Sequence, residues 1–195
     1  MTAGHGITHS EYSVCDGPLH GVQLWVALPG TERDRPPAFA HHPELPGHEQ
    51  VRVLVGRFDG LTSPAQVYSP LVGAQVSGRM EVAIEPDFEY AVLAVTGDAL
   101  VNGYPVPHGA LQYLGWGQDR LMLDTGVALV LGGQPLAEDL LMWWNFVGRT
   151  HDEIVEAREQ YARHDRRFGP VAGDDRPFLP APAMPNVRLR PRPGR

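Results

Sequence analysis

The chain contains no lysine, one cysteine and no long hydrophobic run. Every one of its 16 basic residues is arginine, a bias that high-GC coding explains as well as any recognition role. The single Cys15 excludes a disulfide within the chain and fits a reducing compartment; a buried, inert thiol is the simpler reading of it. The longest apolar runs, near Ala91–Val95 and Val127–Leu131, are too short to span a bilayer. The first residues are polar with no apolar core of a signal peptide, so the chain is expected to be soluble and cytoplasmic. A net charge of -7 argues against a phosphate-neutralising surface, so neither nucleic acid nor membrane is an expected partner.

What is present is a chain of 195 residues with 43% hydrophobic content, enough for a true core. Gly21–Leu28 alternates: Val22, Leu24 and Val26 face one way, Gln23, Trp25 and Ala27 the other, which predicts a strand. Five prolines between Pro29 and Pro46 break the next stretch, 29–49, into a connector. From Gln50 onward short strands separated by turns predict an all-β barrel or sandwich. Val51, Val53 and Val55 alternate, as do Met80, Val82 and Ile84. Tyr90–Val95 is nearly continuous in apolar character and suits a strand buried on both faces, closed by Gly97-Asp98. Asn102-Gly103 predicts a type I′ hairpin turn, because both residues tolerate positive φ. Further strands are predicted at Leu111–Leu114, Leu121–Asp124 and Gly126–Leu131.

Thr150-His-Asp-Glu153 is a capping box that starts a helix to about Ala162, with Ile154, Ala157 and Tyr161 as its apolar stripe, expected to pack on a barrel. The Pro- and Arg-rich stretch 164–195 is expected to be disordered or draped over the surface.

The sharpest chemical signal is at the start. His9 and Glu11 are two residues apart, so on a strand both side chains share one face, within reach of one ion. An imidazole and a carboxylate are two-thirds of the His, His, carboxylate set of non-heme iron sites. The bland reading of such a pair is two polar groups facing solvent. His5 lies four residues before His9, but Gly4 and Gly6 predict a turn there. His41, His42 and His48 fall in or beside the Pro-rich connector, where histidines are mostly surface groups, and His20 precedes a strand.

Met1-Thr-Ala-Gly-x-Gly-Ile-x-His9-x-Glu11, then Leu19-His-Gly-Val-Gln-Leu-Trp-Val26, resembles the middle of a pirin, a two-domain cupin. Tyr68-Ser-Pro-Leu-Val-Gly73, Val101-Asn-Gly103 and Trp143-Trp-Asn-Phe-Val-Gly-Arg149 resemble the C-terminal cupin of that family and its closing helix. The resemblance implies a cupin-type double-stranded jelly roll: a remnant of the N-terminal cupin over 1–28, a complete barrel over 50–148 and a packing helix over 149–163. It implies that His9 and Glu11 are the last two of four ligands to Fe2+ or another divalent metal, and that a His-x-His pair supplies the first two. The strands carrying that pair are absent, and His5 stands where the family usually has arginine. Met1 matches an internal Met of the motif, so the upstream reading frame is expected to encode His-x-His about 40 residues earlier.

By the same resemblance the activity is of the quercetin 2,3-dioxygenase type, with a flavonoid-like small molecule as substrate and Glu11 as a base toward its hydroxyl. The alternative is a non-catalytic cupin that binds and regulates other proteins. With two ligands alone, this chain is expected to hold metal weakly and to be inactive by itself. In the C-terminal barrel Asp87-Phe-Glu89 stands where a metal-binding cupin has its His-x-His, and Pro107-His-Gly109 is followed by no histidine, so this barrel resembles the metal-free cupin of pirins. Trp143, Trp144 and Phe146 are read as core rather than as a ligand pocket. A barrel cut within its sheet leaves strand edges, so Ile7–Leu28 is expected to lie against the C-terminal barrel or to pair with another chain.

Overall fold

The computed structural model describes residues 1–13, 16–19 and 21–192. Cys15 and His20 therefore lie outside the described residues. The chain divides into two compact units: Ala40–Pro135, and Met1–Phe39 together with Leu136–Arg195.

The first of these is all β. Its strands are β1 (Val51–Phe58), β2 (Leu61–Thr62), β3 (Leu71–Ala83), β4 (Glu89–Val101), β5 (Tyr104–Val106), β6 (Leu111–Gly115) and β7 (Arg120–Gly133). They form one seven-stranded antiparallel sheet in the order β2-β1-β3-β7-β4-β5, with β6 added to β4. Residues of alternating parity on β1, β3, β4 and β7 turn inward, among them Val53, Val76, Val92, Val101, Leu121 and Val130, all under 2% exposed. Their burial into one cluster is what curls the sheet into the expected jelly roll.

Three sequence-based expectations change here. β4 is buried on one face: Tyr90, Val92 and Ala94 are buried, whereas Ala91, Leu93 and Val95 are half-buried. Nor does Gly97-Asp98 end it, because Gly97 at φ +70 takes up a shift in register and pairing with β7 resumes at Ala99. The two strands expected at Leu121–Asp124 and Gly126–Leu131 are likewise one strand, β7, running against both β3 and β4. Asn102 and Gly103, at φ 50 and 82, make the predicted tight turn between Val101 and Tyr104. Asp59-Gly60 makes a similar turn between β1 and β2, at φ 47 and 75.

Thr125 faces the barrel core at 6% exposure, and its hydroxyl has no hydrogen-bond partner. A buried hydroxyl without a partner costs desolvation that an isosteric methyl avoids. Thr125→Val is therefore expected to stabilise the protein by about 1 kcal/mol, read as a higher urea midpoint with unchanged slope.

In the second unit, β8 (Leu141–Trp143) and β9 (Phe146–Gly148) form a hairpin, followed by α1 (His151–Ala162). Trp144 turns the hairpin at φ 50, a region bulky residues rarely adopt. Its indole meets Phe146 and Tyr161 edge-on, with centroids 5.3 and 5.4 Å away. The helix begins as the capping box predicts, with the Thr150 hydroxyl accepting from Glu153 N. The Glu153 carboxylate reaches back one residue further than a capping box requires, accepting from Arg149 N at 2.9 Å. The stripe of Ile154 and Ala157 buries against Leu141 and Phe146, so within this unit it is the β8–β9 hairpin that receives it. Phe168, Ala181, Met184 and Leu189 of the following stretch pack on the same cluster.

Gly21–Leu28 is not a strand. An extended segment becomes a strand only with a neighbour to share its N–H and C=O groups. Among the described residues none pairs with residues 21–27, and the only bridge in the first 39 residues joins Thr2 to Ala38.

Candidate functional site

Ala3–Gly6 forms a tight turn, closed by Gly6 N donating to Ala3 O at 2.9 Å, with Gly4 at φ 53. That is the turn the flanking glycines predict, and His5 lies within it. The turn is tied down at His5, whose N–H donates to Arg35 O at 3.0 Å and whose carbonyl accepts from Arg167 Nε. Thr8 N donates to Phe168 O at 3.0 Å, while the Thr8 hydroxyl is buried without a partner. His9 and Glu11 follow immediately, both exposed. Gln23 Nε2 donates to Glu11 Oε1 at 3.3 Å. Tyr12 reaches across to Asp174, and the Arg176 guanidinium lies 3.2 Å from the centroid of the Tyr12 ring.

The far end of this segment is held by charge. Arg149 donates through Nη2 to Leu28 O and pairs with Glu138, both at 2.7 Å. Gly30 N donates to Glu138 Oε1 at 2.7 Å, and Arg33 pairs with Glu153 at 2.9 Å. The Gly30 amide, then the Arg149 guanidinium, hold the Glu138 carboxyl below the usual carboxylate range. Partial burial pushes Glu153 up, but the Arg33 guanidinium and the Arg149 amide outweigh it and the net direction is down. Sequence reading missed this quartet, because residues from three separate stretches meet in it. The only available signal was Glu153 of the capping box, whose side chain does more than cap.

In the barrel, Asp87 accepts from Gln134 Nε2 at 2.8 Å, and Glu85 N donates to Tyr90 Oη at 3.0 Å. Burial, with help from the charges of Glu85 and Asp87, pushes the Tyr90 phenol up. The Pro107-His-Gly109 turn is closed by backbone, and Asp98 accepts from His108 N at 2.9 Å. His41, His42 and His48 belong to this unit, where His48 pairs with Asp59 at 2.9 Å. His48 Nδ1 accepts from Gln50 N at 3.3 Å, which leaves Nε2 as the N–H toward Asp59. Trp143, Trp144 and Phe146 pack with Tyr161 and Phe168 in the cluster under α1. Tyr161 donates to Leu179 O at 3.0 Å, and burial pushes its phenol up.

Residues 72–169 match the Pirin C-terminal cupin domain. A Caulobacter vibrioides pirin-like protein is 30% identical over 93% of this chain, which covers 68% of that relative. The chain belongs to the pirin family. A Pseudomonas aeruginosa member, whose name gives quercetin 2,3-dioxygenase as a provisional assignment, is 41% identical over 95% of this pirin and is covered over 62% of its own length. The crystal structure of a quercetin 2,3-dioxygenase from Acinetobacter baumannii superposes with a TM-score of 0.77 at 36% identity, over 85% of this chain and 59% of that one. The chain thus spans about three-fifths of the length of both.

Family resemblance places an iron-type metal at His9 and Glu11, and the donor set tests that. Among the described residues no group of three or more His, Cys, Asp or Glu side chains stands close enough to hold an ion. Two exposed donors, one of them already shared with Gln23, make half of a coordination sphere. The described residues by themselves do not fit a resident metal.

Proposed function

We propose that this pirin chain is the C-terminal cupin and metal-motif segment of a quercetin 2,3-dioxygenase-type oxygenase acting on a flavonoid-like small molecule in the cytoplasm. The observation that carries the reading is the 41% identity to the Pseudomonas relative, which runs through 95% of the chain and so through both segments. His9 and Glu11 supply two donors to an Fe2+-type ion, and its remaining donors come from outside the described residues. Glu11 has a further role as the base that takes the proton of a substrate hydroxyl. Among the described residues no helix is long and apolar enough to cross a membrane.

A second reading, a cupin that binds and regulates a partner without catalysis, draws on the barrel. There Asp87-Phe-Glu89 replaces a histidine pair, and Gln134 engages Asp87.

The test is anaerobic titration of the purified chain with ferrous iron, followed by desalting and elemental analysis. The expected result is weak, saturable binding, far below one iron per chain after desalting, lost in His9→Ala and in Glu11→Gln, with no oxygen uptake on quercetin. One retained iron per chain with oxygen uptake would show that the site is complete without further donors. One retained iron without uptake would favour the regulator, and titrations unchanged in both variants would remove the metal from these residues.

A further inference from the structure

The stretch that follows α1 is draped over the cluster beneath the helix and is fastened there by side chains that grip its backbone. Tyr161 Oη donates to Leu179 O at 3.0 Å, and Arg158 Nε donates to Pro182 O at 2.7 Å. Farther along, Leu189 N donates to His151 Nδ1 at 3.1 Å. Leu140 and Arg192 then exchange backbone hydrogen bonds of 2.9 and 2.6 Å, and the Leu189 side chain packs on the cluster.

These fastenings differ in chemistry. A phenol and a guanidinium keep their donor protons between about pH 5 and 8. A ring nitrogen of histidine accepts only while it carries no proton, so the imidazole that holds Leu189 is neutral, with its hydrogen on Nε2. Protonation turns Nδ1 into a donor that faces another donor, and the Leu189 amide loses its partner. Imidazole is the side chain whose charge changes over that pH range.

The neighbouring groups keep their charges meanwhile. Asp152, next along the helix, pairs with Arg188 of the strap at 3.2 Å, and Glu153 is engaged by Arg33. Arg190 follows Leu189. His151 is the first residue of α1, where the positive end of the helix dipole disfavours an imidazolium. His164 also touches the strap, its ring 4.7 Å from that of Phe178, but a positive charge beside an aromatic ring tightens such a contact.

We propose that His151 and Leu189 form an acid-released clasp. The neutral imidazole fastens residues 187–192 across the hairpin and helix, and protonation at Nδ1 frees them while the Leu179 and Pro182 contacts hold. Release uncovers the apolar surface under Leu189 and frees the backbone groups of Leu140 beside β8. The clasp is independent of the metal reading, since it uses neither His9 nor Glu11.

Amide hydrogen exchange by NMR, expressed as protection factors, tests it at about pH 8 and about pH 5.5. In the parent, protection of Leu189 is expected to fall about tenfold on acidification, the size of losing one hydrogen bond. The amides of Val53 and Val92 in the barrel should stay protected at both values. His151→Asn, whose amide oxygen accepts without titrating, should keep Leu189 protected at both. His151→Phe should leave it unprotected at both, and His164→Gln should keep the fall seen in the parent. A parent without the fall overturns the proposal. So does a fall that persists in either His151 variant, or one that disappears in His164→Gln.

Discussion

Gly56→Ala is expected to cost about 3 to 5 kcal/mol and to leave the barrel largely unfolded at moderate temperature, whereas Gly60→Ala, four residues on, costs about 1 kcal/mol. Both glycines have positive φ, +71 and +75, so each substitution carries the strain of a left-handed alanine. What separates them is space. A Cβ at Gly56 would lie 1.8 Å from Leu71 O and 2.8 Å from its carbonyl carbon, both backbone atoms that no rotamer change moves. At Gly60 nothing lies within 4 Å. Gly56 also sits where β1 pairs with Val72 of β3 and accepts from Ser63 N, so relief by backbone movement would break the ladder that closes the core. Urea unfolding of the two variants against the parent measures the difference. Equal losses would mean that φ strain alone sets the cost and that the Leu71 carbonyl can move aside.

Gly56 also shows where sequence reading stops. The alternation of Val51, Val53 and Val55 gives the strand and its inward face, because burial follows from a local period of two. The register shift between Val53 and Val55, and the close approach of Leu71 behind Gly56, depend on a strand fifteen residues away. The same division runs through the chain. Asn102-Gly103 and Thr150–Glu153 were legible because turn and cap chemistry are local. Gly97 read as a terminator, since a glycine that ends a strand and one that kinks it look alike until β7 is there to pair beyond it. For the candidate site, the motif was legible and its setting was not. His9 and Glu11 could be picked out by spacing and resemblance. That Gln23 would engage Glu11, and that Arg149 would pin Leu28 at the other end of the segment, are contacts over 12 and 121 residues that no local pattern encodes.

That pin leads to the second large effect. Arg149→Met is expected to release the Leu28 end of the segment and to speed tryptic cleavage after Arg33 by about tenfold, the size of losing one charge-assisted hydrogen bond of modest net strength. The methionine keeps the aliphatic stem but takes the guanidinium from Leu28 O and from Glu138, which retains the Gly30 amide. The same connection should be sensitive to acid. Glu138 and Glu153 are both held below the ordinary carboxyl value of 4.5, so between the folded and unfolded values the unfolded chain binds more protons. The stabilisation they give is then complete above the unfolded value and lost as pH falls through the folded ones. Melting curves of the parent and of an Arg33→Met, Arg149→Met double variant should stay a constant distance apart above about pH 5 and converge below it. A gap that stays constant down to strong acid would show that these arginines hold the segment through the Leu28 carbonyl and packing, with the two carboxylates as bystanders.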